Sequence, residues 1–160
     1  MTETTDRRLV LTRVLSAPRD VVYRAWTEPE SLAWFLNPSE PVPEEPITVD
    51  LRVGGQWRLH MDVSEELKYF TGGVYREIVP GEKLVFAWGA VDGWPEIDPE
   101  HPENDILVTV TLGDLGDQTE MRFEVELPAT LSADEVRGWF EMGIHDGWSM
   151  TIDRLVTKFA

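Results

Sequence analysis

The sequence predicts an α+β fold, an antiparallel sheet covered by helix at its C-terminal end. Three observations carry this. Alternation of apolar and polar residues recurs from Ile47 to Leu127, broken by turn signals and one acidic loop. No helical period interrupts those segments, so they pair as hairpins and leave one apolar face to be covered. A helix-period run then closes the chain over residues 131–160, opened by Ser132 and Glu135 at capping-box spacing. At about 1.5 Å per residue it reaches roughly 40 Å, enough to cross a small domain.

Taken in order, Leu9, Val10, Leu11 and Val14 make a first strand. Ser16 reads as the N-cap of a helix with Pro18 in its first turn, where a missing N–H costs least. Val21, Val22, Ala25 and Trp26 give that helix an apolar face, and a short second helix over residues 31–36 carries Leu32, Trp34 and Phe35. The proline-rich stretch NPSEPVPEEP, residues 37–46, reads as an extended loop. Ile47, Val49, Leu51 and Val53 then alternate as a half-buried strand. Gly54-Gly55 turns it, and Trp57, Leu59, Met61 and Val63 return on one face, with Arg58, His60 and Asp62 on the other.

Residues 64–67 turn into a strand over residues 69–79, in which Gly72-Gly73 suggests a bulge or bend. Pro80-Gly81 leads into Leu84, Phe86 and Trp88. Residues 89–105 form a second acidic, proline-bearing loop around Trp94. The last hairpin carries Val108, Val110 and Leu112, then Met121, Phe123, Val125 and Leu127. The result is about seven strands in β-α-α-β6-α order, a single domain over residues 1–160.

The closing helix has a turning apolar face. At about 100° per residue, Val136, Trp139, Phe140 and Gly143 fall together, while Ile144, Trp148, Ile152, Leu155 and Phe159 cluster on a face rotated from them. The expectation is that the second group grips the sheet, while Trp139, Phe140 and Gly143 face a pocket. Gly138, Gly143 and Gly147 each oppose helix by about 1 kcal/mol. Either Gly143 and Gly147 thin the helix for a close approach, or the helix breaks near Gly143.

Composition narrows function. Lys and Arg total 14 against 30 Asp and Glu, a formal charge of -16. Such a field repels phosphate backbones and anionic lipid, which argues against nucleic-acid or membrane-surface partners. There is no cysteine, so thiol catalysis and disulfides are excluded. No apolar run of signal-peptide or membrane-spanning length occurs, and a cytoplasmic location is expected. No nucleophile elbow, phosphate loop or dinucleotide fingerprint is present, and no cofactor is implied.

The element order and four stretches resemble the START-like (SRPBCC, helix-grip) superfamily, and within it the family named after the C-terminal domain of the activator of Hsp90 ATPase. The stretches are SAPRDVVYRAWTEPESLAWFLNP (residues 16–38), DLRVGGQWRLHM (50–61), GVYREIVPGEKLVFAW (73–88) and GWSMTIDRL (147–155). The resemblance implies a curved antiparallel sheet gripping a long C-terminal helix, with a cavity between them. The superfamily includes lipid and hormone carriers, polyketide cyclases and co-chaperone domains. The eukaryotic activator carries an additional N-terminal domain for which this chain leaves no residues, an expectation that weighs against a co-chaperone.

Aromatic residues line apolar pockets and fill cores alike. Trp148, Trp57 and Phe123 read first as core. Trp34, Phe35, Trp88, Trp94 and Trp139 lie toward helix starts, strand ends and loops, nearer the expected mouth, and read as lining. The full candidate set for a ligand adds Trp57, Phe70, Tyr75, Phe123, Phe140 and Gly143. His60, His101 and His145 have no metal-ligand spacing within one element, so no metal site is expected. His145, one turn before Trp148, is a candidate general acid or base or a helix-flank residue, and Tyr75 is the other candidate. Tyr69, Arg76 and Glu141 are further polar candidates without a nucleophile–base arrangement. The leading expectation is a binding module for a small apolar or aromatic molecule. The alternatives are a cyclase, dehydratase or hydrolase using the same cavity, and a chaperone-activating module. A homodimer is compatible with the sequence.

Overall fold

The computed structural model describes residues 2–5, 7–36, 46–62, 66, 68–90 and 93–159. The 37–46 loop apart from Pro46, Val63, and the 64–67 turn apart from Glu66 lie outside the described residues. The elements are β1 (Thr2–Thr5), β2 (Arg8–Leu15), α1 (Arg19–Thr27), a 3-10 helix (Pro29–Phe35), β3 (Thr48–Val49), β4 (Gln56–Asp62), β5 (Lys68–Val79), β6 (Lys83–Trp88), β7 (Ile106–Asp114), β8 (Thr119–Glu126), α2 (Ala133–Glu141) and α3 (Ile144–Lys158).

The strands form one curved antiparallel sheet in the order β1-β2-β8-β7-β6-β5-β4-β3. The expected α+β helix-grip arrangement holds. Eight strands are described where about seven are expected. The addition is β1, whose sequence TETT has no apolar alternation and is held by backbone pairing, from Thr2 opposite Leu11 to Thr5 opposite Arg8.

Register explains the core. Leu11 lies opposite Phe123, Phe123 opposite Val110, and Val110 opposite Leu84. A parallel row runs through Leu9, Val125, Val108, Phe86 and Tyr75. All of these are buried, so period-two patterning in five strands converges on a single apolar face. Over Gly73 the rings of Trp57 and Phe86 meet at 5.3 Å and 86°. A Cβ on Gly73 would lie 2.6 Å from the Phe86 ring and 2.7 Å from the Trp57 indole nitrogen, so the strand has no side chain where two aromatic rings cross it.

Several local expectations are corrected. The register shift expected at Gly72-Gly73 lies between Tyr75 and Glu77, and the two glycines pair regularly with Arg58 and Trp57. The strand expected through Val53 pairs only at Thr48–Val49. The backbone then curls so that Gly54 N–H bonds the Tyr75 carbonyl at 2.8 Å, which ends the ladder and leaves Leu51 and Val53 exposed. Ser16 does not cap α1; its N-cap is Pro18, with no side-chain bond.

Over the described residues 131–159 the chain forms two helices, not one 40 Å rod. Ser132 and Glu135 make the expected capping box, with reciprocal bonds of 3.1 and 3.0 Å. The break falls at Gly143, whose φ of 95° is left-handed and which N-caps α3. Glycine adopts that conformation without steric cost. A Cβ on Gly138 or Gly147 would meet open space, so neither thins a helix against the sheet. Ile152 and Leu155 are fully buried beneath α3, and each such side chain contributes about 1.5–3 kcal/mol of transfer free energy. Phe159 is half-buried against the same core.

Candidate functional site

The two ends of α3 behave differently because of the residues they carry. Toward its C-terminal end, Ile152 and Leu155 fill the space above the sheet. Toward its N-terminal end, Gly143 and Gly147 supply no side chain, and a cavity of about 290 Å³ remains. Small-molecule sites run from about 300 to 1,000 Å³, so this volume suits a small ligand. The floor comes from the sheet: Met61 of β4, Tyr69 and Thr71 of β5, and Trp88 of β6. The roof comes from Trp139 and Met142 at the end of α2, and from Gly143, Ile144, Gly147, Trp148, Met150, Thr151 and Arg154. Phe35 and Trp94 close the remaining sides.

Ring packing fixes these walls. Trp88 lies 5.0 Å from Trp148, 5.9 Å from Trp94 and 6.4 Å from Trp139, in edge-on geometries favoured by ring quadrupoles. Trp94 also meets Tyr69 at 5.5 Å and Trp139 at 5.9 Å. It is held in this place at β5, where Trp94 N–H bonds the Phe70 carbonyl at 2.9 Å. Trp148 joins cavity to core, since its other neighbours are Phe123 at 4.8 Å and Phe35 at 5.8 Å. Met142 and Met150, each 62% exposed, flank the mouth with flexible apolar side chains.

The polar lining is sparse. Trp88 donates its indole N–H to Thr71 Oγ1 at 3.1 Å, and Thr151 donates to the Gly147 carbonyl at 3.0 Å. Arg154 donates from Nη1 to the Phe35 carbonyl at 2.8 Å. Burial pulls the Arg154 guanidinium below its usual value against the opposing pull of Tyr69, and burial pushes the Tyr69 hydroxyl up. No Asp or Glu lines the cavity among the described residues.

Of the candidate residues, Phe35, Trp88, Trp94, Trp139 and Gly143 come together around the cavity. Six others do not line it. Trp34 is buried and aimed at α1, its indole N–H bonded to the Ala25 carbonyl at 2.8 Å. Trp57 and Phe123 sit in the aromatic core against Phe86 and Trp26. Phe70 alternates onto the opposite sheet face, beneath Arg58 and beside His60. Phe140 packs half-buried against the core. Tyr75 is fully buried against Phe86, and its hydroxyl has no hydrogen-bond partner among the described residues.

His145 is not in the lining either; its Nδ1 lies 3.4 Å from Asp146 on the same helix. Neither candidate acid–base residue therefore reaches the cavity. Arg76 pairs with the buried carboxylate of Asp105, and Glu141 is exposed. The described residues contain no group of three or more His, Asp or Glu able to hold a metal ion. None of their helices is long and apolar enough to cross a membrane.

The lining outside the candidate ligand set includes Thr71, Met150, Thr151 and Arg154, together with Tyr69, named only as a further polar candidate, and Gly147, named only as a place where the helix thins. On α3 these follow a helical signal, Gly143, Gly147, Met150 or Thr151, then Arg154, at steps of three or four. Tyr69 and Thr71 share the strand face of Gly73 and Tyr75.

Comparison with solved structures places this architecture. Protein Ms6760 of Mycobacterium smegmatis is similar at 18% identity, with 100% of this chain and 96% of that chain covered and a TM-score of 0.78. Protein CV1439 of Chromobacterium violaceum is 26% identical over 97% of this chain and 98% of that chain, with a TM-score of 0.65. Protein NE0264 of Nitrosomonas europaea is 25% identical over 97% and 95%, with a TM-score of 0.72. Comparison with curated proteins gives no match. The neighbours share the START-like helix-grip fold, which is a fold of ligand-binding and activator domains. The model of the family described as Activator of Hsp90 ATPase homolog 1-like protein matches residues 16–160, and the chain belongs to that family.

Proposed function

We propose that this chain binds a small apolar or aromatic molecule in the cavity between α3 and the sheet. One observation carries the reading: Trp94, Trp139 and Trp148 each meet Trp88 in T-shaped contact around an opening of about 290 Å³ instead of closing it. Packed interiors rarely leave such a void, and aromatic walls with few polar groups are the ordinary lining of small-molecule sites. The two candidate acid–base residues, Tyr75 and His145, lie outside the lining, which favours binding over turnover.

The test is a screen of apolar and aromatic compounds followed by tryptophan fluorescence. Hits should bind wild type, and Trp139→Ala should weaken them about tenfold or more, as expected when a hot-spot aromatic is removed. Trp88→Ala should do the same. Unchanged affinity for every hit in both variants overturns the proposal.

A further inference from the structure

We propose that the cavity selects an anion, an aromatic carboxylate whose acid group pairs with Arg154. The inference rests on the cavity-binding reading and narrows its ligand class. Arg154 stands in the wall of the cavity and spends Nη1 on the Phe35 carbonyl. A guanidinium has five N–H donors in a planar fork suited to a carboxylate. No carboxylate lies within ion-pair distance of Arg154 among the described residues.

The chain makes that vacancy informative. It has 30 Asp and Glu for 14 Lys and Arg, so a carboxylate is available to most arginines. Arg8, Arg13, Arg76 and Arg122 each have one within 4.0 Å. Asp153, next to Arg154 in sequence, reaches the other way and meets Arg13 at 3.4 Å. Among the described residues, Arg154 alone carries its charge into this aromatic cavity, where a half-buried cation is costly unless an anion joins it. Tyr69, Thr71 and Thr151 are hydroxyl-bearing neighbours in the same lining.

A rival occupant is a cation. Aromatic walls attract ammonium groups, and a formal charge of -16 draws cations from a distance. The lining opposes it, because a cation would face Arg154 with no Asp or Glu in the wall. At about 0.15 M salt the Debye length is about 8 Å, which screens distant surface carboxylates while Arg154 acts at contact.

Three probes of matched shape separate these cases: naphthoate, naphthamide and naphthylmethylammonium, all substituted at the same ring position. Naphthoate should bind wild type about tenfold or more tightly than naphthamide, as a charge-assisted pair does. Arg154→Met should abolish that preference, lowering naphthoate affinity about tenfold or more relative to naphthamide. Arg154→Lys, which keeps the charge, should retain part of it and controls for folding. Equal binding of acid and amide, or a preference that survives in Arg154→Met, overturns the anion inference while cavity binding stands. Tightest binding by the ammonium probe overturns it as well. Failure of all three probes and of the wider screen removes the cavity reading and this inference together.

Discussion

The indole N–H of Trp88 bonds Thr71 Oγ1 at 3.1 Å, and both residues line the cavity. Thr71 is on β5 and Trp88 is on its neighbour β6, so a bond between adjacent strands sets the orientation of the ring at the centre of the aromatic wall. Both side chains are buried. Thr71→Val keeps shape and branching but leaves a buried donor without its partner, which costs about 1–3 kcal/mol. Urea denaturation should report that loss. A freed Trp88 ring should also weaken ligand binding. A variant as stable as wild type would mean that the bond does not hold the ring.

The glycines of the C-terminal helices make opposite predictions. Gly143 has a φ of 95°, where an L side chain is strained, so Gly143→Ala should destabilise by about 1–2 kcal/mol. Gly138 lies inside α2, and a Cβ there would meet nothing within 4 Å. Gly138→Ala should therefore stabilise by about 0.5–1 kcal/mol through helix propensity. Thermal melts of the two variants should move in opposite directions. A shift in the same direction would remove the helix break as the role of Gly143.

Most of the fold was legible because burial imposes period two on strands and 3.6 on helices. That Phe123, Val108 and Phe86 each lie on an apolar face of their strand followed from alternation, while their cross-strand pairing came from the register. Leu51 and Val53 share that pattern yet lie exposed, because the Gly54–Tyr75 backbone bond curls the chain away from pairing. The site was harder to read. Trp57 and Trp88 both occupy the inner sheet face, but only Trp88 borders the cavity, since that depends on where α3 lacks side chains. Arg154 was passed over because a lone arginine in an amphipathic helix looks like a solvated flank. Only the tertiary arrangement shows it in an aromatic wall without a carboxylate.

Tyr75 gives a pH prediction. Its hydroxyl is buried without a partner among the described residues, and burial raises its ionisation well above the usual value near 10, aided by Tyr23 and Asp50. Above about pH 10 the unfolded chain releases this proton while the folded chain keeps it. The unfolded state then binds fewer protons, so stability falls as pH rises through that range. Tyr75→Phe removes the titration and the unpaired hydroxyl together. The variant should match or exceed wild type at neutral pH, by up to about 1 kcal/mol. It should also lose less stability between about pH 9 and 11 in urea titrations. Parallel pH curves for the two proteins would contradict this account, and lost ligand turnover in Tyr75→Phe would revive a catalytic role.

Gly147 separates stability from binding. It lies in the first turns of α3, its N–H bonded to the Gly143 carbonyl at 2.8 Å, and it borders the cavity with nothing within 4 Å of a built Cβ. Gly147→Ala should stabilise by about 1 kcal/mol, because an interior glycine is a poor helix former. Gly147→Leu should gain nearly as much, since leucine ranks close to alanine. Its side chain would also enter space that the ligand needs. The expected outcome is a higher melting temperature together with affinity for naphthamide at least about tenfold weaker, as for a clash built into a binding pocket. A destabilised protein could lose affinity for trivial reasons, whereas a more stable one that no longer binds has had its cavity filled. If Gly147→Leu melts higher and binds as wild type does, the ligand sits elsewhere.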